Sequence, residues 1–113
     1  MTSLNDIKAI VSEFPEVEEA PHFDKVSFRI KSKIFATVKE SEKRATVKFS
    51  QEDQTLFCLI PDEVFYPVPN KWGQQGWTHV NLEIVSIQQL SGALETAYCQ
   101  VAPTHLKQLL LNK

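Results

Sequence analysis

The sequence predicts a two-layer α+β domain, an antiparallel sheet packed on helices in the order α-βββ-α-ββ-α-α. Three observations predict it. Apolar residues repeat at helical spacing from Leu4 to Phe14, alternate strictly from Val26 to Phe49, and return to helical spacing from Ile87 onward. Six prolines and three glycines punctuate these runs without clustering, so no linker divides the chain. The 113 residues, 42% hydrophobic and 23% charged, suit one domain over residues 1–113 whose core needs neither metal nor disulfide.

Ser3 is placed to cap the first helix, with Asp6 three residues on in a capping-box position. Leu4, Ile7, Ile10, Val11 and Phe14 form its stripe, and Pro15 ends it. Three strands follow. Val26, Phe28 and Ile30 alternate with polar residues, then Ile34, Ala36 and Val38, then Ala45, Val47 and Phe49. A four-residue turn over Glu40–Lys43 sets Val38 against Ala45, Ala36 against Val47 and Ile34 against Phe49, all inward. The same register sets Lys39 against Arg44, Thr37 against Thr46 and Phe35 against Lys48 on the outer face.

Ser50 caps a second helix, with Asp53 at N3 and an apolar stripe of Leu56, Phe57, Leu59 and Ile60, stopped by Pro61. Val64–Val68 and Trp77–Leu82 read as a paired couple of strands, the first an edge because of its prolines. Ser86 with Gln89 opens a long helix carrying Ile87, Leu90, Leu94, Ala97, Tyr98 and Val101. Pro103 breaks it, and Leu106, Leu109 and Leu110 form a last short helix.

The formal net charge of −2 conceals one basic segment. Residues 1–24 carry a single cation against six carboxylates, residues 25–48 eight cations against two, and residues 49–113 three against six. No apolar run of about 18 residues is present, so no membrane span is expected. Asp6, Lys8 and Glu13 interrupt the N-terminal apolar pattern, unlike an export signal. Cys58 and Cys99 read as reduced, buried thiols, and with the lack of an export signal they point to the cytoplasm.

Two sets of residues carry binding chemistry. Arg29, Lys31, Lys33, Lys39, Lys43, Arg44 and Lys48 are set to converge at two hairpin tips and one sheet face, where phosphates bind by charge neutralisation. The loop Asn70-Lys71-Trp72-Gly73-Gln74-Gln75-Gly76-Trp77 joins a cation, two stacking faces and amides. Its glycines permit unusual backbone angles, and Trp77 is expected inward with Trp72 more exposed. No recognition-helix or zinc-finger spacing appears. His22, His79 and His105 share no metal spacing, the run Glu13 to Glu19 lacks the pattern of a calcium loop, and the His22/Asp24 pair has no nucleophile beside it. No catalytic residue, metal or cofactor is therefore expected.

The strings His22-Phe23-Asp24-Lys25-Val26-Ser27-Phe28-Arg29, Lys33-Ile34-Phe35-Ala36, Val47-Lys48-Phe49-Ser50, Val68-Pro69-Asn70-Lys71-Trp72-Gly73, Gly76-Trp77, Ala97-Tyr98 and Val101-Ala102-Pro103 resemble the MmcQ/YjbR family of small bacterial proteins. The resemblance runs from about Ile7 to Leu110, most specifically at Asn70-Lys71-Trp72-Gly73 and Gly76-Trp77. It implies a sheet packed on helices and a double-wing mode of DNA binding. A glycine is expected where Ser32 stands, so the first hairpin turn departs from the family pattern. The leading expectation is a monomeric, non-enzymatic protein binding double-stranded DNA through Arg29, Lys31, Lys33, Lys39, Lys43, Arg44, Lys48, Lys71 and Trp72. One alternative is a small-ligand or nucleotide site at Asn70, Lys71, Trp72, Gln74 and Trp77; another is a protein-interaction face around Phe35.

Overall fold

A computed structural model describes residues 2–112. Five α-helices and six strands follow in the order α1 (Leu4–Val11), β1 (Glu18–His22), β2 (Lys25–Ile30), β3 (Lys33–Lys39), β4 (Arg44–Lys48), α2 (Gln51–Cys58), β5 (Phe65–Pro67), α3 (Lys71–Gln74), β6 (Trp77–Asn81), α4 (Ile87–Val101) and α5 (Thr104–Leu111). The strands form one antiparallel sheet in the order β1-β2-β3-β4-β6-β5. This is the α+β architecture the sequence predicts, with one strand and one short helix more.

The helix starts match the sequence reading. Ser3 and Asp6 form a reciprocal capping box, as do Ser86 and Gln89. At α2 the Ser50 side chain accepts from the Asp53 amide, a one-sided cap. The meander register between β3 and β4 is also as expected, with Val38 opposite Ala45, Ala36 opposite Val47 and Lys39 opposite Arg44. A 3-10 turn over Glu40–Glu42 joins these strands, and Lys43 closes it in the left-handed region.

Four local features differ, each for a physical reason. β1 pairs with β2 over Glu18–Arg29 to His22–Lys25, although Glu-Glu-Ala-Pro-His has no apolar alternation. Backbone pairing alone makes it a strand, and Pro21 suits an edge. Second, β3 carries a bulge. Phe28 faces Ala36 while Arg29 faces Ile34, so Phe35 is the extra residue. The bulge turns Phe35 fully into the core, edge-on to Tyr98 at 5.7 Å, and leaves Ile34 only half-buried. The expected faces of Ile34 and Phe35 are thereby exchanged. Third, the stripe expected on α2 is only half a core face: Leu56 and Leu59 are exposed, while Phe57, between Phe49 and Phe65, and Ile60 pack against the core. Fourth, Ile87 and Leu109 lie exposed at the ends of their helices' apolar faces.

The core lies between the inner face of the sheet and α1, α4 and α5. Ala36, Val38, Ala45, Val47 and Val80 supply the sheet side, and Ile7, Leu90, Leu94, Ala97, Tyr98 and Leu106 the helix side. Tyr98 ties the layers together: its hydroxyl donates to the Pro15 carbonyl at 2.7 Å while its ring packs on Phe14 and Phe35. α4 packs on β3 and β4 from this side. Among the described residues, no helix is long and apolar enough to cross a membrane.

Candidate binding groove on the open face of the sheet

The strand register places residues on the sheet face opposite α4 in rows. Ser27, Thr37, Thr46, His79 and Tyr66 are successive cross-strand partners, and Lys39, Arg44 and Asn81 form the next row. Trp77 pairs with Lys48 on this same face, not inward as the sequence suggested. The reason is parity along β6: Thr78 and Val80 are buried, so Trp77 and His79 point the other way.

A cleft of about 570 Å³ crosses this face, within the range of sites that hold a small molecule. Its lining comes from Ile34, Thr37, Thr46 and His79 on β3, β4 and β6, from Val68, Asn70, Trp72 and Trp77 around α3, and from His22, Phe23 and Lys25 around the β1–β2 turn. Thr46 Oγ1 and His79 Nδ1 share a hydrogen bond at 2.9 Å, and the Tyr66 ring meets His79 edge-on. Burial, then the positive charges of Arg44 and Lys25, push the His79 imidazole down to about 4, so it is neutral at physiological pH.

The Trp72 end is built by α3 and held by its neighbours. Asn70 caps α3 by accepting from the Trp72 amide at 2.8 Å. Gln54 on α2 donates to the Gly73 carbonyl at 2.9 Å and the Trp77 carbonyl at 3.1 Å, and Gln51 donates to the Gln74 carbonyl at 2.7 Å. Lys48 reaches the Gln75 carbonyl from below, and burial lowers the pKa of its ammonium. Gly76 has a φ of 103°, open to glycine, and a Cβ there would stand 1.9 Å from the Phe49 carbonyl oxygen. Gly73 has no such angle; it is needed because a Cβ would meet the Val68 carbonyl at 1.9 Å.

The expected DNA contacts divide into three groups. Lys31 pairs with Glu16 at 3.0 Å, Lys39 with Asp24 at 3.1 Å and Glu42 at 2.9 Å, and Arg44 with Glu42 at 3.2 Å. Hydrogen bonds to Glu42 and Asp24 raise the Lys39 pKa, and the bond from Lys39 lowers that of each carboxylate. Arg29 and Lys48 are occupied by Ser27 and by loop carbonyls. Lys33 and Lys43 are exposed and make no ion pair among the described residues, while Lys71 sits over the Trp72 ring at 5.9 Å. The Lys31–Lys33 tip and Lys43 lie at opposite ends of the seven-residue β3, roughly 20 Å apart at the usual rise of a strand. The two hairpin tips are thus well separated along β3.

Of the residues named for a ligand site, Asn70, Trp72 and Trp77 line the cleft, and Lys71 and Gln74 do not. His22, Phe23, Lys25, Ile34, Thr37, Thr46, Val68 and His79 line it without having been assigned to it from sequence. Only the cross-strand row Thr37–Thr46 was available as a signal. Phe35, proposed for an interaction face, is in the core. Among the described residues no group of three or more His, Cys, Asp or Glu side chains could hold a metal ion. Cys58 and Cys99 are unpaired, half-buried thiols whose pKa values burial raises.

The chain is similar in structure to Deinococcus radiodurans protein DR2400, with domain DUF419, at a TM-score of 0.78 and 20% sequence identity, covering 97% of this chain and 88% of that one. That likeness supports the fold. No curated protein matches the sequence. The YjbR family model matches residues 12–100, which takes in all six strands, α2, α3 and most of α4. The chain belongs to the YjbR family.

Proposed function

We propose that this chain is a non-enzymatic, monomeric binding domain of the cytoplasm that takes a nucleotide unit, an aromatic base joined to a phosphate, in the groove on its open sheet face. The observation that carries this reading is the joint presence of Trp72, Trp77 and Lys25 in the lining of one cleft. A base stacks on an indole regardless of its sequence identity, and a nearby ammonium neutralises the attached phosphate. The polar floor of Thr37, Thr46 and neutral His79 offers hydrogen bonds to base edges. The spacing of the cations favours a short ligand, since three of them already face carboxylates.

The chain has two tryptophans and both line the cleft, so its intrinsic fluorescence reports on the site. Titration with thymidine monophosphate, with a short oligothymidylate and with a mixed-sequence duplex tests the reading. Saturable quenching by the monophosphate or the oligothymidylate supports it. Silence toward both refutes it.

Duplex DNA held by the hairpin tips is the second reading, favoured by the exposed Lys33 and Lys43, which make no ion pair among the described residues. It predicts salt-sensitive binding of the duplex alone, with Lys33→Glu weakening it.

A further inference from the structure

The β1–β2 turn holds an aromatic residue where the backbone disfavours one. His22 pairs with Lys25, leaving Phe23 and Asp24 as a two-residue turn. Phe23 alone of the two has a positive φ, at 59°, the pattern of a type II′ turn whose first central position belongs to glycine. A bulky side chain there is uncommon and costly. The ring earns nothing from the core in return, because it is 94% exposed, the highest value among the large hydrophobic residues exposed on this molecule. Nor is the turn loose. Asp24 is paired with Lys39, and the His22 ring packs edge-on against Phe23 at 4.9 Å. A strained backbone, an anchored tip and an exposed ring coincide in a residue that lines the same cleft as Trp72 and Trp77.

Resting on the groove reading above, we propose that Phe23 is the second aromatic wall of the site, a binding residue that clasps the planar ring of the ligand from the side opposite the tryptophans. The ligand class is a planar heterocycle bearing an anionic group, a nucleotide unit either free or as an unpaired unit of a strand. Lys25, two residues on and in the same cleft, is the cation placed for the anionic group. The strain at Phe23 is thereby accounted for: glycine would make a better turn and remove the contact.

The test compares wild type, Phe23→Gly, Phe23→Ala, Phe23→Tyr and Trp72→Ala by quenching of Trp77 and, where present, Trp72, with thymidine monophosphate and a short oligothymidylate as probes. Thermal unfolding is recorded for each. Phe23→Ala and Phe23→Gly are expected to weaken binding about tenfold or more, the usual loss for one stacking partner. Phe23→Tyr keeps affinity within about twofold because the ring face is retained. Phe23→Gly unfolds at a higher temperature than wild type while binding worse, a combination that a purely structural role for Phe23 would not produce. Loss toward both probes assigns the site to a free nucleotide unit, and loss toward the oligothymidylate alone assigns it to a strand. Wild-type affinity in Phe23→Ala and Phe23→Gly, with loss in Trp72→Ala, overturns the role of Phe23 and leaves the groove standing. No quenching of wild type by either probe overturns both.

Discussion

Thr46 and His79, thirty-three residues apart in sequence, share a hydrogen bond of 2.9 Å at the centre of the open sheet face. The contact joins β4 to β6 and holds a neutral imidazole in the floor of the groove. His79 is protonated in the unfolded chain below about pH 6.5 and in the folded protein only near pH 4. Between these values the unfolded state binds more protons, so stability falls as the pH falls through this window. Partial burial limits the loss to about 2 kcal/mol. Urea unfolding at neutral pH and near pH 4.5 checks it, and His79→Gln is expected to flatten the slope.

The turn at Gly76 admits no side chain. Its φ of 103° and the nearby Phe49 carbonyl oppose a Cβ together. Gly76→Ala is expected to cost at least about 2 kcal/mol. Because the same turn sets the start of β6, the Trp77 emission maximum should also shift. Denaturant unfolding followed by fluorescence reads both effects in one experiment.

Lys31 and Ser32, at φ 49° and 69°, make the β2–β3 hairpin a two-residue turn with both central residues left-handed. That is the type I′ pattern, which favours glycine at its second position. Ser32→Gly is therefore expected to stabilise the protein by about 0.5–1 kcal/mol, the relief of left-handed strain exceeding the added unfolded-chain entropy. A rise in the denaturant midpoint with no change in slope would show it.

Phe35 and Ile34 separate the bulged register from simple alternation. Phe35→Ala is expected to cost about 3–5 kcal/mol, as for a deeply buried aromatic. Ile34→Ala, on the open face, should cost about 1 kcal/mol and alter the groove floor. If alternation held through β3, the two costs would be reversed.

These residues also show how far the sequence carries. The β3–β4 register was legible because a four-residue turn sets Ala36, Val38, Ala45 and Val47 on one side and a one-residue slip would turn them out. The helix caps were legible because Ser-x-x-Asp and Ser-x-x-Gln carry local chemistry. β1 was not, because five residues without apolar alternation become a strand only through hydrogen bonds to β2. The bulge at Phe35 was invisible because Ile34 and Phe35 are equally suited to the core; only packing on Tyr98 chooses between them. The groove was half legible. Asn70, Trp72 and Trp77 stood together in one loop, but Phe23, Lys25, Thr46 and His79 reach them only through the sheet. The charge pattern misled in one respect: Glu16 and Asp24, counted in an acidic segment, fold against Lys31 and Lys39 of the basic one.

Amide chemical-shift mapping with a short oligothymidylate tests the groove most directly. Saturable shifts clustered on Phe23, Lys25, Thr37, Thr46, Trp72, Trp77 and His79 are expected. Shifts confined to the turns at Lys31–Lys33 and Lys43, or to the helical side of the sheet, would contradict it.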